Sequence, residues 1–195
     1  TCSKTVLQDY QRRFPAWILD RTLTDAEFIQ FTTSCSNLVD LTITDPLFDI
    51  GSFQSILEQC TKLTHIDIQN CEQLMSSRAI DAIAKLCPQI QSLHFSHASV
   101  CVREELNNFA TCCTKIKVLS LRADKLRLIV HSFALCCSST IEVLKLHHLL
   151  LLGRELFHFA VRCPLLREVH IPYCTGVRTT SNNMVAMLSS AHALQ

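Results

Sequence analysis

The chain has 195 residues, 48% of them hydrophobic and 18% charged, with a net charge of +1. That is ample apolar material for one elongated domain, and the near-neutral balance gives no electrostatic reason to expect nucleic acid or an acidic membrane surface. Three glycines and five prolines argue against a turn-rich sandwich or a glycine-rich nucleotide loop, and the longest aliphatic run, Leu149 to Leu152, falls far short of the ~20 residues that cross a bilayer.

Six cysteines, Cys35, Cys60, Cys87, Cys113, Cys137 and Cys163, recur at intervals of 24 to 27 residues. A fixed period of this length is the signature of a stacked-repeat solenoid. In chain order, Lys4, Asp9, Arg12 and Arg13 break up the early apolar residues, so no signal-peptide core is expected there. Phe14 then opens the first unit, and Trp17 and Leu19 follow at the alternation of a strand with one buried face. The helix after it is marked by Phe28 and Phe31, which lead to Cys35. The same grammar repeats: Leu38, Leu41, Ile43 for a strand and Phe53, Ile56, Cys60 for a helix; then Leu63, Ile66, Ile68 with Ile80, Ile83, Cys87. Ile90, Leu93, Phe95 precede Leu106, Phe109, Cys113; Ile116, Leu119, Leu121 precede Val130 and Phe133; Ile141, Leu144, Leu146 precede Leu156, Phe159, Cys163. The last copies are Leu166, Val169, Ile171 with Met184, Met187, and Leu194 alone. A spacing of three ahead of the cysteine puts those side chains on one helical face. Each unit is thus a strand, a turn and a short helix that only neighbouring copies can bury.

The deviations are small. Cys137 comes one residue early, and Gln11 and Ala191 stand where cysteine is expected. A single domain over residues 1–195 is predicted, with a partial first repeat at about 1–13 and an incomplete last one at about 175–195.

Twelve cysteines could signal a disulfide scaffold, but phase places the six periodic ones in the core as small hydrophobes, with Cys71 and Cys174 at a second repeat position. A reducing compartment, cytoplasmic or nuclear, is the simpler expectation. The Cys112–Cys113 and Cys136–Cys137 pairs lack the C-x2-C spacing of zinc sites, and no metal is expected.

Residues alternating with the buried strand positions point to the other side of the sheet. They form three rows: Ala16, Asp40, His65, Ser92, Val118, Val143, Glu168; then Ile18, Thr42, Asp67, His94, Ser120, Lys145, His170; then Asp20, Thr44, Gln69, Ser96, Arg122, His147, Pro172. From these, Asp40, Thr42, His65, Asp67, Gln69, His94, Ser96, Ser120, Arg122, Lys145, His147, Glu168 and His170 are the candidate partner-binding residues. The strip is acidic and hydroxylic first, basic and histidine-rich later, a pattern that would orient a protein partner. The alternative is that these are merely solvated strand positions. Leu150 to Leu152 form a second candidate patch, unless they pack under the next helix.

Asp67, His94 and Ser120 resemble an acid–base–nucleophile relay, but mid-strand N–H groups are committed to the ladder and cannot form an oxyanion hole. His65, Asp67 and His94, or His147 with His170, fit hydrogen-bonding contacts better than metal ligands. No G-x-G-x-x-G, G-x4-G-K-[ST] or H-E-x-x-H sequence occurs. The expectation is no enzyme, no catalytic residue and no cofactor.

The unit C-x2-L-x2-L-x-L-x2-C, clearest from Cys60 through Cys71 and on to Cys87, resembles the cysteine-containing subfamily of leucine-rich repeats. The resemblance runs from about Phe14 to Leu194. It implies a ribonuclease-inhibitor-like α/β solenoid of about seven repeats: a curved right-handed β-α superhelix, with a parallel sheet on the concave face and helices on the convex face. Such repeats are best known as the substrate-binding part of F-box proteins, the receptors of SCF-type ubiquitin ligases. By this resemblance the chain is a protein-interaction adaptor, with a Skp1-type adaptor reached through an upstream F-box. The repeat phase is already running at Phe14 and leaves no room for that module, so either the chain is the repeat portion of a longer receptor or it has no F-box. Neither end shows a polar capping repeat, and both are expected to be cut, disordered or covered. The alternatives are a structural subunit of a large assembly and a pathogen effector with a eukaryotic-like repeat domain. No nucleic acid partner and no membrane insertion are expected.

Overall fold

Apolar residues that recur at a fixed interval can all be buried only if each copy lies beside the last. The computed structural model describes residues 16–19, 36–44, 49–70, 77–96, 103–122, 139–148 and 162–174. Its elements are β1 (Ala16–Leu19), β2 (Asp40–Thr44), α1 (Ile50–Gln59), β3 (His65–Gln69), α2 (Ser77–Leu86), β4 (Ser92–Ser96), α3 (Arg103–Cys112), β5 (Val118–Arg122), β6 (Val143–His147) and β7 (Glu168–His170). The seven strands form one sheet in chain order, and every neighbouring pair is parallel. Parallel neighbours need a crossover of a dozen or more residues. From β2 to β5 the three helices supply it. The arrangement is that of a leucine-rich-repeat-like α/β solenoid.

Register follows the sequence period. Asp40 pairs with His65, His65 with Ser92, Ser92 with Val118, Val118 with Val143 and Val143 with Glu168. One residue on, Leu41, Ile66, Leu93, Leu119 and Leu144 pair in the same series and all are buried. Ile43, Ile68, Phe95, Leu121 and Leu146 make a second buried row. These rows share one core with Phe53, Ile56 and Leu57 of α1, Ile80 and Ile83 of α2, and Phe109 of α3. Removing one such side chain from water contributes about 1.5–3 kcal/mol.

The described periodic cysteines mark the joint between helix and next strand. The backbone N–H of Cys60, Cys87 and Cys113 donates to the carbonyl four residues back, on Ile56, Ile83 and Phe109 respectively, at 2.8–2.9 Å. The carbonyls of Cys60, Cys87 and Cys163 accept from Leu63, Ile90 and Leu166, at 3.1–3.2 Å. The side chains of Cys60, Cys87, Cys113 and Cys163 are buried. A small apolar side chain is what such a tight joint admits. Burial pushes the thiols of Cys87 and Cys163 up to about 12, because a thiolate there would lose its water. At its other end, α1 starts on Asp49, whose Oδ1 accepts from the Ser52 N–H at 2.9 Å. This N-cap holds the carboxyl below its ordinary value.

Strands β3 to β7 begin in the same way. The carbonyl of Val39 accepts from both Thr64 and His65, and the carbonyls of Thr64, Gln91, Lys117 and Glu142 likewise take two consecutive N–H groups from the next repeat. The three strand ends described beyond their last residue share a second device: Asn70, His148 and Tyr173 occupy equivalent positions and all have φ between 53° and 59°. The sequence pattern extends the last strand to Ile171, but β7 stops at His170. Proline at 172 has no N–H to continue a ladder, and its carbonyl instead accepts from the His148 N–H at 3.3 Å.

The helices predicted around Phe28 and Phe31, Val130 and Phe133, Leu156 and Phe159, and Met184 and Met187 lie outside the described residues. So do Asp20, Cys35, Cys71, Cys136, Cys137, the Leu149–Leu152 run and Leu194.

Candidate interaction surface on the open sheet face

Alternation along each strand leaves the side chains between the buried positions on the face opposite the helices. No described element covers that face. Thr42, Asp67, His94, Ser120, Lys145 and His170 stand in direct register across β2 to β7, as the sequence phase requires. Asp40, His65, Ser92, Val118, Val143 and Glu168 form the row before it, in the same register. In the third row Thr44 pairs with Gln69, and Ser96, Arg122 and His147 pair in succession.

Accessibility divides these candidates. His65, Arg122, Glu168 and His170 are exposed, while Asp40, Thr42, Asp67, Gln69, His94, Lys145 and His147 are half-buried. Ser96 and Ser120 are 5% and 3% exposed, and Val143 of the first row is also buried. The two serines therefore do not project as partner contacts. Their side chains are short, and the row neighbours on either side are longer, so they sit beneath the surface those neighbours make. Ser96 has a structural task there. Its Oγ donates to the Ile68 carbonyl at 3.2 Å and accepts from the Asn70 N–H at 3.0 Å. It thereby clamps the left-handed turn after β3 to the next strand.

The acidic half is internally engaged. Asp67 accepts from Gln69 Nε2 at 2.7 Å through one oxygen and faces His94 Nε2 at 3.9 Å through the other. At the far edge His170 Nε2 lies 3.7 Å from Glu168. Between them the basic half is not paired: Arg122 and Lys145 have no acidic partner among the described residues. His147 lies beside both. Its pKa is lowered, first by burial and then by the charges of His94, Arg122, His148 and Lys145. His148, in the turn, stacks on Tyr173 with ring centroids 5.0 Å apart.

Asp67, His94 and Ser120 do lie on adjacent strands, but the nucleophile–base contact of a relay is not made. Ser120 Oγ has no hydrogen-bond partner, and the His94 nitrogen nearest an acid is the one facing Asp67. Among the described residues no group of three or more His, Cys, Asp or Glu side chains is placed to hold a metal ion. Among them, too, no helix is long and apolar enough to cross a membrane.

Sequence reasoning missed the Ser96 clamp, the burial of Ser120 and the ion pairs at the strand starts, where Glu142 bridges Lys117 at 3.6 Å and Arg167 at 3.2 Å. A signal was present for the serines: in the register rows Ser120 falls between His94 and Lys145, and Ser96 beside Arg122. A short side chain flanked laterally by long ones is a candidate for burial.

No protein-family model matches the chain, and no curated protein matches it. Among solved structures it is similar to an internalin (inlF) from Listeria monocytogenes, at 12% identity and a TM-score of 0.49, over 96% of this chain and 62% of that one. The chain thus spans less than two thirds of that internalin. It is also similar to the tropomodulin C-terminal domain of Caenorhabditis elegans, at 8% identity and a TM-score of 0.34, over 97% and 90% of the two chains. A third similarity is to the homocysteine methyltransferase MmuM of Escherichia coli, at 12% identity and 0.33, over 95% and 82%.

Proposed function

We propose that this chain is a non-enzymatic protein-interaction module, a leucine-rich-repeat solenoid of about seven repeats that coils as a right-handed superhelix and binds a protein partner on its concave sheet. The observation that carries the reading is the open sheet face: polar side chains held in lateral rows by a rigid ladder, with fixed cations left unpaired among the described residues. Such a face supplies register and charge for recognition. The partner-binding residues are those that reach solvent: Asp40, Thr42, His65, Asp67, Gln69, His94, Arg122, Lys145, His147, Glu168 and His170. In its most specific form the module is the substrate-recognition domain of an F-box-type ubiquitin ligase receptor, joined to a Skp1-type adaptor by an F-box elsewhere in the protein. It works in a reducing compartment, cytoplasmic or nuclear, which suits buried cysteines kept as thiols.

The test is site-specific photocrosslinking in native extract. A benzophenone side chain is placed at Thr42, His65 or Lys145 on the sheet face, and at Glu58 or Lys85, exposed on α1 and α2, as controls. Sheet-face positions are expected to capture a discrete protein partner that the helix positions do not. Capture from the helix positions alone would overturn the proposal. Co-purification of the full-length protein with a Skp1-type adaptor decides the ligase reading separately.

A further inference from the structure

On the open face, β4, β5 and β6 bring together two fixed cations, Arg122 and Lys145, two histidines and a buried serine. Ser120 stands between His94 and Lys145 in one row, and Arg122 stands between Ser96 and His147 in the next. Ser120 Oγ is sealed from solvent and makes no hydrogen bond. An unmet hydroxyl is costly to keep, and this one lies beside two cations that also lack an acidic partner among the described residues. The nearest carboxylates on the same face do not answer it: Asp67 on β3 and Glu168 on β7 each stand two strands away from Ser120 on β5.

We propose that His94, Arg122, Lys145 and His147, arranged around the buried Ser120, form a carboxylate-binding patch that takes an extended acidic segment of the protein partner. This rests on the interaction-module reading above and names the chemistry of what is bound. The two fixed charges, Arg122 and Lys145, occupy diagonal positions on adjacent strands, about 7–8 Å apart at the backbone. An extended peptide with acidic residues at alternate positions presents carboxylates about 7 Å apart on one side. The match favours two separated carboxylates over one compact dianion. The guanidinium accepts a carboxylate side-on in a two-bond fork. Lys145 takes the second. The imidazoles of His94 and His147 each add an N–H donor even when neutral. A polyanion such as nucleic acid suits the face less well, because Asp67 and Glu168 flank the patch on both sides.

The experiment uses the full chain and a fluorescein-labelled peptide of alternating serine and glutamate, read by fluorescence anisotropy. The matched serine–glutamine peptide and a single-stranded oligonucleotide of equal charge are the controls. The glutamate peptide is expected to bind at least about tenfold more tightly than the glutamine one and to weaken with added salt. Arg122→Glu with Lys145→Glu should lose about tenfold or more in affinity, with the thermal unfolding midpoint unchanged. If that pair fails to fold, Arg122→Gln with Lys145→Gln reads the same loss. Lys85→Gln, exposed on α2 and away from the sheet face, should bind as the parent does. Equal binding of the two peptides, unchanged binding by the double variant, or tighter binding of the oligonucleotide would each overturn the patch. Should the patch fail while photocrosslinks still fall on the sheet face, only the acidic chemistry is lost; if both fail, the module reading goes with it.

Discussion

Ser96 carries two hydrogen bonds that no other described side chain can replace. With alanine or valine in its place, one lone pair of the Ile68 carbonyl on the buried strand and the Asn70 N–H in the turn after it lose their partner. The expected cost is about 1–3 kcal/mol of unfolding free energy, measured by urea denaturation. Threonine retains the hydroxyl and should cost less. His147 gives a pH-dependent outcome with a definite sign. Its folded pKa is depressed below the ordinary 6.5, so the native state binds this proton less readily than the unfolded chain does. Its contribution to stability is therefore fully present above 6.5 and is lost as pH falls through the lower folded value. His147→Gln should flatten the stability profile across that window, seen as a smaller fall in unfolding midpoint on acidification. An unchanged profile would show that neither burial nor the neighbouring cations act on this ring.

At the scale of elements, each repeat depends on the joint between helix and strand. Cys87 closes α2 with its N–H and receives Ile90 at its carbonyl, while its thiol is buried. The backbone bonds survive any substitution that keeps the conformation, so the side chain can be tested alone. Cys87→Ser places a hydroxyl in an apolar site and should cost about 1–3 kcal/mol. Cys87→Ala keeps the site apolar and should cost less, since only one sulfur atom's burial is lost. Equal losses would mean that volume rather than polarity decides this position. The strand phase was legible in the L-x-L alternation because a one-residue slip would turn every apolar side chain outward. The turn after each strand was not, since Asn70, His148 and Tyr173 have no common chemistry. The next repeat ties down two of them, Ser96 at the Asn70 N–H and Pro172 at the His148 N–H.

Across the whole molecule the described cysteines differ in access, which gives a readout of the stacked core. Cys112 is exposed, whereas Cys60, Cys87, Cys113 and Cys163 are buried. Brief alkylation of the native protein, followed by peptide mass spectrometry, should label Cys112 and spare those four. They should react only when the repeats open, and because each repeat leans on its neighbours, their labelling should rise together with denaturant. Early labelling of Cys87 or Cys113 would place the core elsewhere.

The period, the strand phase and the lateral rows could be read from the sequence by itself. A parallel ladder of near-equal repeats has one register that buries every apolar residue, and the 24 to 27 residue spacing states it. Which members of a row reach solvent was decided only in the tertiary structure. Exposure on a sheet face depends on the lengths and conformations of side chains about one repeat away on either side. Thus Ser96 and Ser120 sink while His65 and Arg122 stand clear, and the charges around His147 converge from three different strands and a turn.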